Sequence, residues 1–396
     1  MHYLSSNLWD LNAGIVQICS MFYKDVIGQD FIKKQMHKSA NEGRIAHAVL
    51  IREHLVGGGF ALAWAYARYL QCTDRNESDS CGKCSSCLQI SKLAHPDVHF
   101  SFPVINDDNK NPTSDSFLSE WRHLCLDRPY FDLTDWLTEL GDSKKQPIIS
   151  TKEAENILHK TQLKTFNSPW KIVIIWMAER LNSAAANKLL KIIEEPEPGT
   201  VFILIVRSTE KMLSTILSRC QEIHLPTLQE EEIAAYLQAR YSVQTEMAQL
   251  ASRFCEGDVA RAYRLAHTDV SLEEFATEFV KWSRMCYNAR LLEIVPWIND
   301  MSRLSREGLQ GFIRFSSFLF KESLNERVLS NGFSHPSFQK VEFRMEGFSR
   351  LFNPKRLNRM LAALDLAYYE IGRNLNPKPV LFALSTELMR TYKMKD

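Results

Sequence analysis

Two uninterrupted apolar runs constrain the fold of this chain more than any other feature of its sequence. They are "KIVIIW" (residues 171–176) and "VFILIV" (residues 201–206), and polar turns bound both. Continuous apolar runs of this length are typical of parallel strands that are buried on both faces. The segment between them, residues 182–195, has a helical pattern and stops at Pro196. We therefore predict an α/β fold with a parallel sheet and covering helices.

A third strand is predicted at "HAVLI", and it leads through the glycine-containing loop "REHLVGGGF" into a helix at residues 61–71. Apolar residues in that helix repeat at i, i+3, i+4 and i+7, which predicts an amphipathic helix. A strand, a glycine-containing loop and a helix form the frame of a phosphate-binding loop. Such a loop also needs a lysine for the phosphate oxygens and a hydroxyl for magnesium. Both are missing here, so the frame is present without its chemistry.

The positions at which strand signals end and helix caps occur predict the domain boundaries of the chain. Strand signals end near Pro226, and the rest is helical, with predicted capping boxes at Thr227/Glu230 and Ser271/Glu274. Another box, Ser150 with Glu153, is predicted to begin the helix that precedes "KIVIIW". We expect four parts: an N-terminal extension at 1–20, an α/β domain at 21–227, a small helical unit at 228–270 and an all-helical region at 271–396.

Two segments are expected to be irregular. Residues 97–150 contain the polar stretch "NDDNKNPTSDS", and we interpret about 106–146 as an insertion. Residues 1–20 lack the basic head and cleavage site of a signal peptide, and Met21 opens a segment that reads like a more natural start. We interpret residues 1–20 as the product of an upstream start or as a weakly ordered tail.

Composition limits the class of protein. The chain of 396 residues carries 48 basic and 47 acidic side chains, a net charge of +1, so no overall positive field favours nucleic acid. No apolar run approaches the roughly 18 residues that a membrane span needs. We therefore expect a soluble, cytoplasmic protein.

Four cysteines form a tight group, Cys72, Cys81, Cys84 and Cys87, with the spacing C-x8-C-x2-C-x2-C. Cysteines two residues apart can bind one zinc from a short turn, and four thiolates complete a tetrahedral shell with no position left for water. The spacing predicts a structural zinc site. The other interpretation is a group of reactive or incidental thiols, while disulfides are not expected in a reducing compartment.

Four further positions bear on chemistry. Trp176 and Met177 stand at the carboxyl end of "KIVIIW", where an ATPase carries an acidic pair for magnesium. Glu179 follows them, and by itself it is better interpreted as a solvated carboxylate at a helix start. Arg219 lies between a predicted helix and strand, and without further context it is a solvated or paired surface charge.

Together these segments resemble the bacterial clamp-loader subunits of the replicative DNA polymerase III, and most closely the delta-prime family. The resemblance covers about residues 21–265. Its most specific parts are "NSAAANKLLKIIEEPEPGT" and the later Ser-Arg-Cys; "FYKDVIGQDFI", "GRIAHAVLI", "SKLAHPDVHF" and the cysteine spacing also carry it.

The resemblance implies an AAA+ fold: a RecA-like sheet domain, a helical lid, and a collar domain through which five subunits form an open ring. It also implies the partners, namely the motor subunits (gamma/tau), the delta subunit, the sliding clamp and primed DNA, with no membrane. The Ser218-Arg219-Cys220 element takes the family position of an arginine finger, which acts on the nucleotide of a neighbouring subunit.

The same resemblance implies that nucleotide chemistry is lost. It places Glu53 at the first glycine of the phosphate loop, Gly58 at the second, Gly59 at the lysine and Phe60 at the hydroxyl residue. Trp176 and Met177 replace the acidic pair. Ala260 replaces a nucleotide-sensing arginine, although Arg261 adjoins it. We therefore expect no functional ATP binding and a non-catalytic subunit.

Two other functions stay open at this stage. An ATP-hydrolysing motor subunit or another AAA+ ATPase would need the missing lysine and acidic pair. A zinc-dependent nucleic-acid-binding protein would need a basic stripe, which the sequence does not offer.

Overall fold

The computed structural model describes residues 21–105, 112–141, 146–166, 168–267, 272–329, 343–373 and 375–394. The chain forms two compact units, one up to Ala266 and one from His267. Residues 1–20, interpreted above as an extension, lie outside the described residues. Among the helices described, none combines the length and the apolar character needed to cross a membrane.

The first unit is built on a parallel five-stranded sheet with the order β2-β3-β4-β1-β5. The strands are β1 (Ala48–Arg52), β2 (Val98–Ser101), β3 (Lys171–Trp176), β4 (Thr200–Val206) and β5 (Gln221–His224). Every residue of β3 and β4 is buried, as expected for central parallel strands with both faces covered. The predicted fold class is confirmed.

Helices cover both faces of this sheet and continue beyond it. They are α1 (Asp30–Asn41), α2 (Gly59–Gln71), α3 (Ser85–Ser91), α4 (Leu118–Asp127), α5 (Leu133–Glu139), α6 (Thr151–Gln162), α7 (Ser183–Glu194), α8 (Ser214–Leu217), α9 (Glu230–Tyr241), α10 (Thr245–Cys255) and α11 (Val259–Ala266). Helices α9 to α11 correspond to the predicted small helical unit.

The expectation of an irregular segment at 97–150 is wrong for most of that stretch. Strand β2 and helices α4 and α5 lie within it, and Trp121 and Trp136 are fully buried. The Trp121 ring stacks on Phe102 with centroids 4.1 Å apart. The aromatic residues of this stretch are too widely spaced to produce a periodic pattern, so the sequence does not predict its helices. The stretch is ordered because burying each aromatic ring removes a large apolar surface from water. Residues 106–111 and 142–145 lie outside the described residues.

The amphipathic character predicted for residues 61–71 is also wrong. Every residue of α2 from Gly59 to Gln71 is buried. The Phe60 ring contacts Trp121 of the insertion, and the Trp64 indole donates a hydrogen bond of 3.0 Å to the Ile90 carbonyl on α3. Helix α2 therefore has no face left to water, because distant segments cover the side that its pattern assigns to solvent.

The predicted capping boxes have mixed outcomes. Ser150 caps α6 by accepting a hydrogen bond from the Glu153 N–H, but the Glu153 carboxylate accepts from the Ser114 N–H at 2.8 Å instead of closing the box. Thr227 and Glu230 form no box, since α9 is capped by Gln229, whose N–H donates to Glu232. Ser271 lies outside the described residues.

The second unit is helical throughout its described part. Its helices are α12 (Leu272–Tyr287), α13 (Leu291–Met301), α14 (Arg306–Leu329), α15 (Met345–Ser349), α16 (Pro354–Gly372) and α17 (Pro377–Lys393). Trp282 and Trp297 stack in its core with centroids 5.9 Å apart. The Trp282 indole donates to the Ser385 hydroxyl at 2.9 Å, which satisfies its buried N–H.

Within the first unit, one arginine fastens the insertion to the last helix. Arg264 of α11 donates to both carboxylate oxygens of Asp132 at 3.1 and 2.8 Å and to Asp135 at 2.8 Å. Burial raises the pKa of Asp132, but the Arg264 guanidinium outweighs that effect and holds it well below its usual range. These carboxylates begin α5, where Asp132 caps the helix. The contact is therefore a buried, bidentate ion pair and a helix cap at once.

We predict that Arg264→Met loosens both elements, because the buried Asp132 then loses its guanidinium partner, while Asp135 keeps Arg128 at 3.2 Å. Losing one partner of such a pair costs about 3 kcal/mol. Amide hydrogen exchange in α5 and α11 should therefore become about 100-fold faster, as measured by mass spectrometry.

The control for Arg264 is Lys188→Met, which removes an exposed ion pair with Glu155 and should leave exchange nearly unchanged. Equal exchange rates in α5 and α11 for the Arg264 variant and the wild type would show that this ion pair does not hold the insertion.

Candidate functional site

The phosphate loop, residues 53–59, connects the end of β1 to the start of α2. Gly58 caps α2 with a φ of 102°, a conformation that favours glycine. A Cβ added at Gly58 would lie 3.0 Å from Cε1 of Tyr130. The Tyr130 hydroxyl in turn accepts a hydrogen bond of 2.8 Å from the Ile27 N–H. The insertion thus places an aromatic ring directly against the loop.

The Glu53 side chain accepts hydrogen bonds from backbone N–H groups of the phosphate loop. Its carboxylate is 5% exposed, and one oxygen accepts hydrogen bonds from the Gly57 N–H at 3.1 Å and the Gly59 N–H at 2.8 Å. N–H groups at a helix start after a glycine loop are the donors that hold a phosphate in nucleotide-binding proteins. Here the chain's own carboxylate occupies two of them.

The environment of Glu53 affects its ionisation. Burial raises the pKa of this carboxyl above its ordinary value, while the Gly59 hydrogen bond and the nearby Arg207 oppose the rise. The carboxyl is therefore tied to the loop by hydrogen bonds in a place that water does not reach.

Phe60 and Trp176 lie in one aromatic cluster. They are two of the positions at which the resemblance implies that magnesium ligands are lost. Their ring centroids lie between 5.0 and 5.4 Å from those of Trp121 and Phe131. The cluster consists of Phe60, Phe102, Trp121, Phe131, Trp136 and Trp176. Rings at these separations attract each other by about 0.5–1.5 kcal/mol per pair beyond their burial. Where the resemblance places a hydroxyl and a carboxylate around magnesium, this chain has an apolar core.

The neighbouring positions are also buried or paired. Met177 is buried in a left-handed conformation with a φ of 56°. Glu179 is half-buried, not solvated as expected, and accepts a long hydrogen bond of 3.4 Å from the Arg207 N–H. Burial raises the pKa of Glu179. The chain folds back over this carboxylate after β4, which its position before a helix did not indicate.

Ala260, which the resemblance places where a nucleotide-sensing arginine is expected, is buried within the small helical unit. The adjacent Arg261 forms an ion pair with the buried Asp258, with Nε 3.1 Å from the carboxylate. That pairing supplies Asp258 with its counter-charge inside the same helix turn.

The four cysteines predicted to bind zinc come together. Their sulfur atoms all lie within 4.8 Å of one another, and none forms a disulfide. The sulfurs of Cys81 and Cys87 lie 4.0 Å apart. A tetrahedral zinc with Zn–S bonds of about 2.3 Å requires sulfurs about 3.8 Å apart, so this cysteine cluster fits such an ion.

Backbone amides prepare the sulfurs for a metal. The N–H groups of Cys81, Cys84 and Cys87 point to the sulfurs of Cys72, Cys81 and Cys84 at 3.2, 3.4 and 3.5 Å. Burial raises the pKa of the Cys84 thiol, but hydrogen bonds from Cys87 and Thr73 outweigh it and lower the pKa to about 6. Thiolates are the form that binds metal.

Arg219 follows α8 and precedes β5, as its position in the sequence suggested. It forms an ion pair with Glu194 at the end of α7, and its Nη1 donates to the Thr215 carbonyl at 2.8 Å. The side chain is 36% exposed. Ser218 is exposed beside it and Cys220 is half-buried. Arg219 is thus held at the surface by one carboxylate and one backbone carbonyl.

Comparisons with known proteins identify the family. The family model described as "DNA polymerase III, delta subunit" matches residues 28–229, about half of the chain, which includes the phosphate loop, the cysteine cluster and Arg219. Subunit delta-prime of Haemophilus influenzae is 28% identical over 215 residues, which is 54% of this chain and 53% of that protein. The chain belongs to the DNA polymerase III delta-prime family.

Two other relatives match over a similar length. Subunit delta-prime of Bacillus subtilis is 27% identical over 248 residues, covering 63% of this chain and 62% of that protein. DNA polymerase III subunit gamma of Buchnera aphidicola (subspecies Acyrthosiphon pisum) is 25% identical over 216 residues, covering 54% of this chain and 48% of that protein. The matches thus span about half to three fifths of the relatives' length.

The sequence reasoning for this delta-prime family member missed the side chains that fill the site. Tyr130, Trp121 and Phe131 come from the insertion, which was expected to be irregular. The resemblance places Glu53 at the first glycine of the phosphate loop, and it does not predict the hydrogen bonds that Glu53 accepts from the loop amides. A carboxylate placed directly before a glycine loop was the one available signal, because it can reach N–H groups four and six residues later.

We predict that Glu53→Ala destabilises the first unit, because it leaves the buried N–H groups of Gly57 and Gly59 without an acceptor. The cost should be about 1–3 kcal/mol. Glu53→Gln is the matched control, since its amide oxygen can still accept both bonds. Urea denaturation compares the variants, and an alanine variant as stable as the glutamine variant would contradict the role given to the carboxylate.

The wild type and the Glu53→Gln variant should also differ in how their stability depends on pH. The folded-state pKa of Glu53 is raised above 4.5, so its contribution to stability is fully present below that value and is lost as pH rises through the raised pKa. The stability of the wild type relative to Glu53→Gln should therefore fall from acidic to neutral pH. A difference that grows with pH would be the opposite of this expectation.

Proposed function

We propose that this protein is a non-catalytic delta-prime subunit of a bacterial clamp loader. The observation that carries the proposal is the filled nucleotide site. Glu53 occupies two amides that would hold phosphate, and the aromatic cluster replaces the ligands of magnesium. A subunit built this way keeps the frame of the sheet for assembly and leaves ATP hydrolysis to its neighbours.

In this proposal the partners are the motor (gamma/tau) and delta subunits of DNA polymerase III, in a five-membered ring in the cytoplasm. The ring loads the sliding clamp onto primed DNA, and the present subunit is its fixed stator. Membership of the delta-prime family supports this assignment. The second, helical unit is proposed to be the collar through which the ring assembles.

The main alternative is an ATP-hydrolysing motor subunit, which the similarity to a gamma subunit favours. The identities at Gly59 and Trp176 argue against it, because neither can supply a positive charge or a metal ligand. A zinc-dependent nucleic-acid-binding protein is disfavoured by the net charge of +1.

Calorimetric titration with Mg-ATP separates the first two functions. We predict no binding in the micromolar range by the full chain, because Glu53 places a carboxylate where phosphate oxygens would lie. A gamma subunit measured under the same conditions is the positive control. Micromolar binding by this chain would refute the non-catalytic assignment.

The cysteine cluster is proposed to bind one structural zinc through Cys72, Cys81, Cys84 and Cys87. Four sulfurs form a closed shell, so the metal would stabilise the segment between α2 and α3 and offer no open position for catalysis. The distances among the sulfurs and their amide hydrogen bonds support this choice.

Arg219 is proposed to act on the nucleotide of the neighbouring motor subunit. A guanidinium is permanently charged and directs two donors to phosphate oxygens, so it can stabilise charge that develops on the γ-phosphate. In the isolated chain its partner is Glu194. An exposed pair of this kind is weak, and assembly would exchange the carboxylate for the phosphate.

We predict that Arg219→Ala leaves ring assembly intact and lowers the ATPase activity of the reconstituted loader in the presence of clamp and primed DNA. An arginine finger contributes roughly 10³ to 10⁵ in rate where it acts alone, and a loader with several sites dilutes that loss. Arg219→Lys should restore only part of the activity, because it keeps the charge without the fork.

Two controls accompany this experiment. Lys188→Ala removes a cation of α7 that pairs with Glu155, and Glu194→Gln releases Arg219; both variants should keep full activity. An alanine variant that assembles and hydrolyses ATP like the wild type would make Arg219 an ordinary surface arginine.

A further inference from the structure

An arginine is buried beside the cysteine cluster. Arg68 lies on α2 and is 1% exposed. Its Nε and Nη1 have no hydrogen-bond partner among the described residues. Placing a guanidinium away from water is costly unless an opposite charge lies close to it. The position of Arg68 therefore calls for a negative group in its surroundings.

The contacts of Arg68 point to the cysteines. On one side, its guanidinium carbon lies 3.8 Å from the centroid of the Phe22 ring. On the other side is the turn between Cys81 and Cys84: a Cβ added at Gly82 would lie 3.4 Å from Nη2 of Arg68 and 2.7 Å from the Phe22 ring. Arg68 is thus held between an aromatic ring and the cysteine turn.

Charge balance explains this placement. Zinc bound by four thiolates carries a net charge of about −2, and Cys87 is its most deeply buried ligand. The other nearby cations are exposed: Lys83 is paired with Asp74, with 3.8 Å between their charged atoms, and Lys24 lies 5.0 Å from the centroid of the Phe22 ring. Asp25 is negative. Arg68 is the buried cation that the site needs.

We propose that Arg68 is a positioning residue of the cysteine cluster, which neutralises the zinc–thiolate charge and raises the affinity for zinc. The inference rests on the proposed zinc site and adds a residue outside the ligand set. It also gives the Phe22 ring a role, since that ring covers the guanidinium and keeps water from competing for it.

The test measures zinc affinity of the full chain by competition with a chelator under reducing conditions. Arg68→Met should lower the affinity by about 10- to 100-fold, the usual effect of removing a group that supports metal ligands. Arg75→Met is the matched control, because Arg75 also lies on an aromatic ring, that of Tyr69, in the same segment. The zinc affinity of the Arg75→Met variant should equal that of the wild type.

A second readout distinguishes charge from packing. In the zinc-free protein Arg68 faces no zinc–thiolate charge and has Asp25 as its nearby carboxylate, so Arg68→Met should be about as stable as the wild type, whereas in the zinc-loaded protein it should be less stable. A residue that acts only by packing would destabilise both forms. Loss of stability in both forms, or unchanged zinc affinity, would overturn the proposal.

Arg68→Lys and Arg68→Gln keep the test decisive if the methionine variant does not fold. Both shorten the side chain and differ mainly in charge, so the lysine variant should bind zinc more tightly. Equal affinities would refute the role of charge. A wild-type chain that binds no zinc would instead refute the zinc site itself, and elemental analysis of the purified protein reveals that case separately.

Discussion

The first unit depends on the contact between the aromatic cluster and the phosphate loop. Phe60 begins the helix that follows the loop, Trp176 ends a central strand, and Trp121 joins them from the insertion. An ATPase must keep this place open and wet for magnesium and phosphates. Here it is dry, and the apolar surfaces that fill it add to the core. In the function proposed above, the substitutions that remove the nucleotide chemistry are the same ones that add apolar packing.

The strands and the cysteine cluster could be predicted from the sequence because short segments encode them. Strands β3 and β4 are continuous apolar runs, and Cys81, Cys84 and Cys87 are separated by single turns, so local spacing determines their geometry. The burial of α2 could not be predicted, because Trp121, which covers Phe60, lies 61 positions later. The bonds of Glu53 depend on the left-handed conformation of Gly58, which no periodic pattern reports.

Three sites of buried charge in this unit show how one chain handles the same physical problem in different ways. Glu53 is hydrogen-bonded by loop amides, and Asp132 and Asp135 are paired with Arg264. Arg68 has a ring on one side and sulfurs on the other. Each solution fixes a segment that has little periodic structure of its own: the loop, the insertion and the cysteine turn. Buried polar groups here determine position more than they add net stability.

The fastening of the insertion to α11 has a consequence for motion. In nucleotide-driven proteins a ligand shifts the balance between two arrangements only if it binds them with different affinity. In this chain Arg264 links α11 to α5, and the Val259 N–H donates to the Val56 carbonyl of the loop at 3.1 Å. The chain's own side chains fill the cleft, and its own hydrogen bonds and ion pairs join the two sides. In the function proposed above, movement of this subunit is therefore imposed by the surfaces that touch it, so that it transmits force without timing it.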